Sequence, residues 1–353
     1  MSSREHDVLE AVERRRRLKP KLKDEQVTLA HGAGGKATQI LVEALFMEQF
    51  GNSTGDAAVF EQNGIRLAFT TDSFVVKPLF FPGGDIGELA VNGTVNDLAM
   101  TGARPVHLTA GFVVEEGLST VDLRRVAESM SEAARLAEVT IVAGDTKVVE
   151  RGKGDGVYVN TAGVGIIEGE FDLSPDRVRP GDRVLVSGTI GDHGMAVMIA
   201  RGELELEVEL ESDTAPLGGL VATLLAATKG VRWLRDPTRG GLATILNELA
   251  LEAGVAVRLD EAALPLRAET VGACEILGID PLYVANEGKL VAVVAPEHAE
   301  AAVSALSAHP LGRKAAVVGE IRAEPDGLVL LDTAFGGSRV VEMLVGDPLP
   351  RIC

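Results

Sequence analysis

Apolar and polar positions change period several times along the chain. Short β-type runs at residues 66–71 and 140–143, and another at Val157–Ile167 rich in Val, Thr and Ile, predict strands. Between the first two, Leu123, Val126, Ala127, Met130, Ala134 and Ala137 recur at helical spacing behind Ser119 and Asp122, a capping-box pair. A Pro- and Asp-rich joint at 172–182 separates this half from a second one. The second half opens with an apolar strand at 184–187. It continues through a helix at about 238–253, with Leu242, Ile245, Leu246 and Leu249 on one face and Gly254 as its stop. Strands at 290–294 and 316–321 follow, with a helix at 297–307 between them. No regular strand–helix–strand repeat is present. The pattern reads as α+β, with two α/β sandwich domains at 27–168 and 182–345. A charged extension at 1–26 precedes them, and a tail at 346–353 follows.

Composition narrows the function classes. Aromatic residues are 4% of the chain against 46% hydrophobic, so the cores rest on Val, Leu, Ile and Ala. The 40 glycines predict tight turns or backbone-lined sites. A net charge of -18 argues against nucleic-acid or anionic-membrane binding. It leaves room for a nucleotide substrate, because bound Mg²⁺ reverses the local sign. Two cysteines make no disulfide framework and suit a reducing cytoplasm. No apolar run has the length of a membrane span, and no apolar stretch follows Arg14, Arg15, Arg16 and Arg17 as in a signal peptide.

Candidate chemistry lies at the edges of the apolar runs. Asp56, Asp72, Asp97 and Asp145 are each flanked by small or polar residues and apolar segments. Singly, each reads as a turn or cap; together they suit Mg²⁺ bridging phosphates. Asp85, Glu88, Asn92 and Asn96 fall on one helical face beside Asp97. His31-Gly-Ala-Gly-Gly-Lys36 is glycine-rich with a basic end but is not a Walker loop, since residues 30 and 37 are Ala. In the second half, the turns Gly188–Gly194, with Asp192, and Asp236–Leu242, with Arg239, open helices that suit anions or are simply capped. Glu287 beside Lys289, and Lys147, have ordinary surface readings. Cys274 reads as a core thiol. Cys353 is the last residue, on an arm with Gly346, Pro348 and Pro350 that spans at most about 27 Å. By position alone it is an incidental end; prenylation needs a Cys four places from the terminus.

These motifs, with Thr71-Asp72-Ser73, Gly144-Asp145-Thr146-Lys147, Asn286-Glu287-Gly288-Lys289 and the terminal Pro350-Arg-Ile-Cys353, resemble the hydrogenase maturation factor HypE family from about residue 27 to 353. The aspartate motifs are shared with the wider superfamily of aminoimidazole ribonucleotide synthetase, thiamine-monophosphate kinase and selenophosphate synthetase. The extension 1–26 departs from the family pattern. The resemblance implies a PurM-like fold in a homodimer whose N-terminal sheets close a barrel. It implies a carbamoyl dehydratase using ATP and Mg²⁺: HypF loads a carbamoyl group on Cys353, the S-carboxamide becomes an S-cyanate, and the cyano group passes to a HypC–HypD complex as a ligand for the iron of [NiFe]-hydrogenase. On the same resemblance Glu287 is the base and Lys147 stabilises the amide oxygen or its phosphate. Asp56, Asp72, Asp97 and Asp145 hold metal. Gly34, Gly35, Lys36, Asn92, Asn96, Gly144, Thr146, Asp192 and Arg239 contact the nucleotide. Arg351 and the terminal carboxylate act oppositely on the thiol pKa. Two other readings stay open: a synthetase or kinase of the superfamily acting on a free small molecule, and a non-enzymatic carrier with a tail thiol.

Overall fold

The computed structural model describes residues 22–51, 55–202, 209–346 and 349–353. The charged extension through residue 21 lies outside the described residues, as do Asp347 and Pro348 of the tail. Two sheets organise the rest, one drawn from residues 58–167 and the other from 183–341.

In the first, β1 (Ala58–Gln62) and β2 (Ile65–Phe74) form a hairpin. Its turn, Asn63-Gly64, has positive φ at both residues, which the Asn-Gly pair tolerates. The two-residue strands β3 (Phe80–Phe81) and β4 (Gly84–Asp85) lead into the helix Ile86–Met100, capped by the Asp85 carboxylate on the N–H groups of Gly87 and Glu88. Next come β5 (Arg104–Glu115), the helix Thr120–Leu136 with Ser119 as its cap, β6 (Thr140–Val149) and β7 (Val157–Ile167). The strand order is β1-β2-β7-β5-β6. Only β5 and β6 run parallel, because the helix between them carries the chain back across the sheet. β5 has no counterpart in the sequence reading, since Pro105, His107 and Gly111 interrupt its apolar pattern. The helices cover one sheet face. On the other, Phe60, Phe69 and Val113 are exposed, and β6 is an open edge along nearly its whole length.

The second sheet contains β8 (Arg183–Val186), β9 (Val231–Arg235), β10 (Ala256–Asp260), β11 (Val291–Val294), β12 (Ala316–Arg322), β13 (Val329–Asp332) and β14 (Ser338–Val341). Its order is β14-β13-β10-β12-β8-β11-β9, with β10 and β13 parallel. The helix expected from 238 begins at Gly241, because Gly240 and Gly241 both take positive φ in the turn before it. The helix expected from 297 starts as a single 3₁₀ turn, Pro296–His298, before Ala299–Ala308.

The helix Ile86–Met100 is apolar nearly all round because both domains bury it. Val91 and Val95 pack in the first core, while Ala99 and Met100 pack with Leu185, Leu220, Leu224 and Leu290 of the second. Asn96 joins the two: its Nδ2 donates to Ala215 O (3.0 Å) and Glu287 O (3.2 Å), and its Oδ1 accepts from the Leu217 N–H (2.7 Å). Replacing it strands buried backbone groups. Asn96→Ala should lower unfolding free energy by about 2–4 kcal/mol, read from the urea midpoint. An unchanged midpoint would mean these bonds do not tie the domains together.

Candidate active site

Carboxylates from both domains converge where the sheets meet the Ile86–Met100 helix. One oxygen each from Asp56, Asp97 and Asp236 lies within 4.8 Å of the others. Asp56 precedes β1, Asp97 lies on the Ile86–Met100 helix, and Asp236 directly follows β9. The Thr70 hydroxyl, on β2, lies 2.7 Å from Asp56 O and 3.0 Å from Asp97 Oδ2. Arg235 pairs with Asp56. Burial, then the neighbouring Asp236, Asp56 and Asp72, holds Asp97 well above the usual carboxylate range. Burial, then Asp56, does the same to Asp236. Burial also raises Asp56 and Asp72, opposed by Arg235 and Arg239 respectively. Hard oxygen donors that repel one another at this spacing fit a divalent cation.

Beside them lies the end of the tail. The Glu287 side chain is buried beside Cys353, and its Oε1 has no hydrogen-bond partner among the described residues. Burial, then Asp236, Asp72 and Asp213, pushes Glu287 well up; burial, then Glu287, does the same to the Cys353 thiol against the pull of Arg239. Arg351 does not settle the thiol, because it pairs with Asp155 at 3.0 Å. The tail is held mainly by its backbone. Arg201 donates to the carbonyls of Pro350 and Arg351, Lys77 N–H donates to Arg351 O (3.2 Å), and His193 Nε2 lies 3.1 Å from Ile352 O. A left-handed φ at Arg351 turns the chain inward, and Ile352 is buried. Cys353, Ile352, Arg239, Val75 and Tyr283 line a cavity of about 200 Å³.

The other expected residues divide. Arg239 sits among Cys353, Asp72, Glu287 and Asp97, and it also donates to Gly32 O (3.0 Å). Gly34 and Gly35 are needed for close packing, because a Cβ on either would strike Arg239 or Leu344. Their loop therefore packs closely against Arg239 and Leu344, beside the tail. Lys36 donates its N–H to Leu344 O (2.9 Å), and its side chain is exposed. Asn92 donates to Thr214 Oγ1 (3.1 Å) and keeps a buried Oδ1 without a partner among the described residues. Asn96 has a different task from nucleotide contact: its polar atoms are occupied by the interdomain bonds. Asp192 is likewise occupied, by Thr189, Thr270 and Arg267. Gly144, Asp145, Thr146 and Lys147 lie on the open β6 edge, apart from the cluster within one protomer. Asp145 pairs with Lys147 at 3.1 Å, which holds its carboxyl low. In register with Gly111 and Asn160, Asp145 falls on the sheet face opposite to that of Asp72.

Asp236 completes the cluster and was missed as a ligand. The signal was present, since it directly follows a strand, just before the Pro-Thr-Arg turn. Asp213 also approaches Glu287, its Oδ1 accepting the Glu287 N–H (2.9 Å). It carried no signal, because it follows an acidic stretch that reads as solvated surface. The arrangement gathers three close carboxylates, a guanidinium, a buried carboxyl and a thiol, the kinds of group that phosphoryl transfer and proton movement beside sulfur require.

Two family models match the chain: the AIR synthase related protein N-terminal domain over residues 54–167 and its C-terminal domain over 179–331. Carbamoyl dehydratase HypE of Rhizobium leguminosarum bv. viciae is 53% identical over 333 residues, 93% of this chain and 95% of that protein. Among solved structures, a HypE–HypF complex aligns with TM-score 0.82 at 47% identity, over 86% of this chain and 99% of that one. Hydrogenase maturation protein HypE in complex with ATP aligns with TM-score 0.79 at 46% identity, over 93% and 100%.

The raised carboxyls carry a sign. Asp97 and Asp236 bind their protons more tightly folded than unfolded, so the stability they contribute is full below about pH 4. It is lost as pH rises through their folded values. Thermal midpoints of the metal-free protein should therefore fall between pH 5 and pH 8, and less steeply in Asp97→Asn. Equal pH slopes in parent and variant would contradict the repulsion.

Proposed function

The chain belongs to the carbamoyl dehydratase HypE family and is a carbamoyl dehydratase of hydrogenase maturation; on that premise we propose that its substrate is a carbamoyl group carried on its own Cys353. The seating of Cys353 in the pocket beside the buried Glu287 carboxyl and Arg239 is the observation that carries this reading. The reaction converts the S-carboxamide and ATP into an S-cyanate, ADP and phosphate. An amide oxygen leaves poorly, and phosphorylation lets it depart as phosphate while two protons leave the nitrogen. Glu287 is the proposed base: the burial and carboxylates that raise its pKa make it strongly basic once ionised. Arg239, between Cys353 and the aspartates, is placed to orient the phosphoryl group. Asp56, Asp97 and Asp236, with Asp72 beside them, would hold Mg²⁺, which neutralises phosphate charge during the transfer. The buried, unpartnered Oδ1 of Asn92 supports a role for that residue in ligand contact.

A HypF-type carbamoyltransferase is the proposed donor, because a relative is solved as a HypE–HypF complex. A HypC–HypD complex, proposed from family resemblance, would receive the cyano group. Both transfers require Cys353 to leave its pocket. We also propose a homodimer joined through the uncovered N-terminal sheets, which would bury Phe60, Phe69 and Val113. Gly144, Asp145, Thr146 and Lys147 lie on the edge strand of that sheet, so their assigned roles require the second protomer. The proposed division is 27–168, 182–345 and the tail 346–353.

Intact-mass spectrometry of the Cys353-carboxamide chain should show loss of one water on adding ATP and Mg²⁺, and carbamoylation with no such loss would overturn the reading. Glu287→Gln should slow that loss at least about 100-fold. Val113→Lys should shift the chain from dimer to monomer in sedimentation and remove the dehydration with it; a monomeric parent would end the dimer proposal.

A further inference from the structure

His193 has no part in the chemistry above, yet it touches the tail one residue from the reacting sulfur. It lies wholly buried at the start of the Asp192–Ala200 helix, with the ring of Phe81 edge-on at 5.7 Å. Burial pulls it below the ordinary histidine value against Asp213, which favours the neutral ring with one proton. Its Nε2 lies 3.1 Å from Ile352 O, which can only accept. With the tail seated, the proton is therefore on Nε2, and Nδ1 must accept from the Ser212 hydroxyl at 2.8 Å. That hydroxyl in turn accepts the Thr214 N–H (3.2 Å), closing the turn at 212–214.

The middle of this turn grips the proposed base. Asp213 accepts the Glu287 N–H at 2.9 Å and pairs with Lys289 at 3.0 Å. A Cβ on Gly288 would coincide with the Asp213 carbonyl, so the turn lies directly on the Glu287–Gly288 peptide. Ser212 N–H is fixed by Pro82 O (2.8 Å). We propose that His193 is a positioning residue that ties the seating of the tail to the placement of the Glu287 carboxyl, acting through Ser212 and Asp213. When the tail leaves, Nε2 loses its acceptor and the proton is free to move to Nδ1. Ser212 then faces a donor, and its O–H must rotate so that the oxygen accepts instead. Asn96 holds the Glu287 carbonyl in either state, whereas the turn on the Glu287 N–H side has the tail-set His193–Ser212 bond only while the tail is seated.

Two amides separate the roles of the ring. Gln places an N–H near Nε2 and keeps the bond to Ile352, whereas Asn places a carbonyl near Nδ1 and keeps the bond to Ser212. Two measurements follow on full-length chains: the iodoacetamide alkylation rate of Cys353, and the single-turnover rate of ATP-dependent water loss from the carbamoylated chain. His193→Asn should raise alkylation about three- to tenfold, the loss of one tail bond. His193→Gln should leave alkylation within about twofold of the parent while slowing water loss at least about tenfold. Ser212→Ala should behave like His193→Gln, and it decides the matter if the histidine variants fail to fold. Parent-like water loss in His193→Gln or Ser212→Ala overturns the proposal, as does an equal change of both readouts in both histidine variants, the mark of general loosening. The proposal rests on the dehydratase reading, and the two fail differently: no water loss in the parent removes that reading, whereas only a variant result removes the relay.

Discussion

Carboxylates held against one another in a buried junction set the terms for the rest of the structure. Asp56, Asp97 and Asp236 raise one another's proton affinity, and Asp72 and Glu287 feel the same field. Two guanidiniums, Arg235 and Arg239, offset part of that repulsion. The Arg235–Asp56 pair bridges the domains, and uncharged contacts add to it against the remaining repulsion. The Ile86–Met100 helix does this by burying apolar residues in both cores, and Asn96 adds hydrogen bonds at the site itself. Asn suits this position because it satisfies backbone groups of both polarities without adding charge. Since one of those bonds ends on Glu287 O, the scaffold that joins the domains also sets the main chain at Glu287.

The same low-polarity junction shapes the thiol. Burial raises the proton affinity of both the Cys353 thiol and the Glu287 carboxyl beside it, which biases each toward its neutral form.

Sequence and structure agree best where chemistry is local. Asp56, Asp72 and Asp97 were legible as carboxylates at the edges of apolar runs, and each lies at the junction. The two-domain α+β architecture was legible because the joint at 172–182 breaks the pattern between two sets of strands. What stayed hidden was pairing over long distances. Asn96 looked like a ligand because an amide on an apolar helix is costly, but its partners, Ala215 and Leu217, lie in a loop more than a hundred residues away. Asp192 looked available because Arg267 and Thr270 belong to a different helix. Asp145 and Lys147 share residue types with the cluster, but the pleat of β6 and its place at the sheet edge keep them apart from it in one protomer. Each case turned on which face or which partner a polar group meets, and only the packed chain decides that.

The way the tail is held explains how one site tolerates a changing substrate. Arg201, Lys77 and His193 grip backbone groups of Pro350, Arg351 and Ile352, while Ile352 and the Arg351–Asp155 pair select the side chains. None of these contacts involves the sulfur. A thiol, a carboxamide and a cyanate on Cys353 differ in size, polarity and hydrogen bonding, so a grip on the side chain would favour one of them and resist the others. A grip on the preceding peptide groups is nearly indifferent to the cargo. Discrimination then falls to Glu287 and Arg239 at the tip, the groups that the proposed chemistry needs there. Docking and catalysis are thus carried by different atoms of one short segment, and the tail can bind before and after reaction with similar strength.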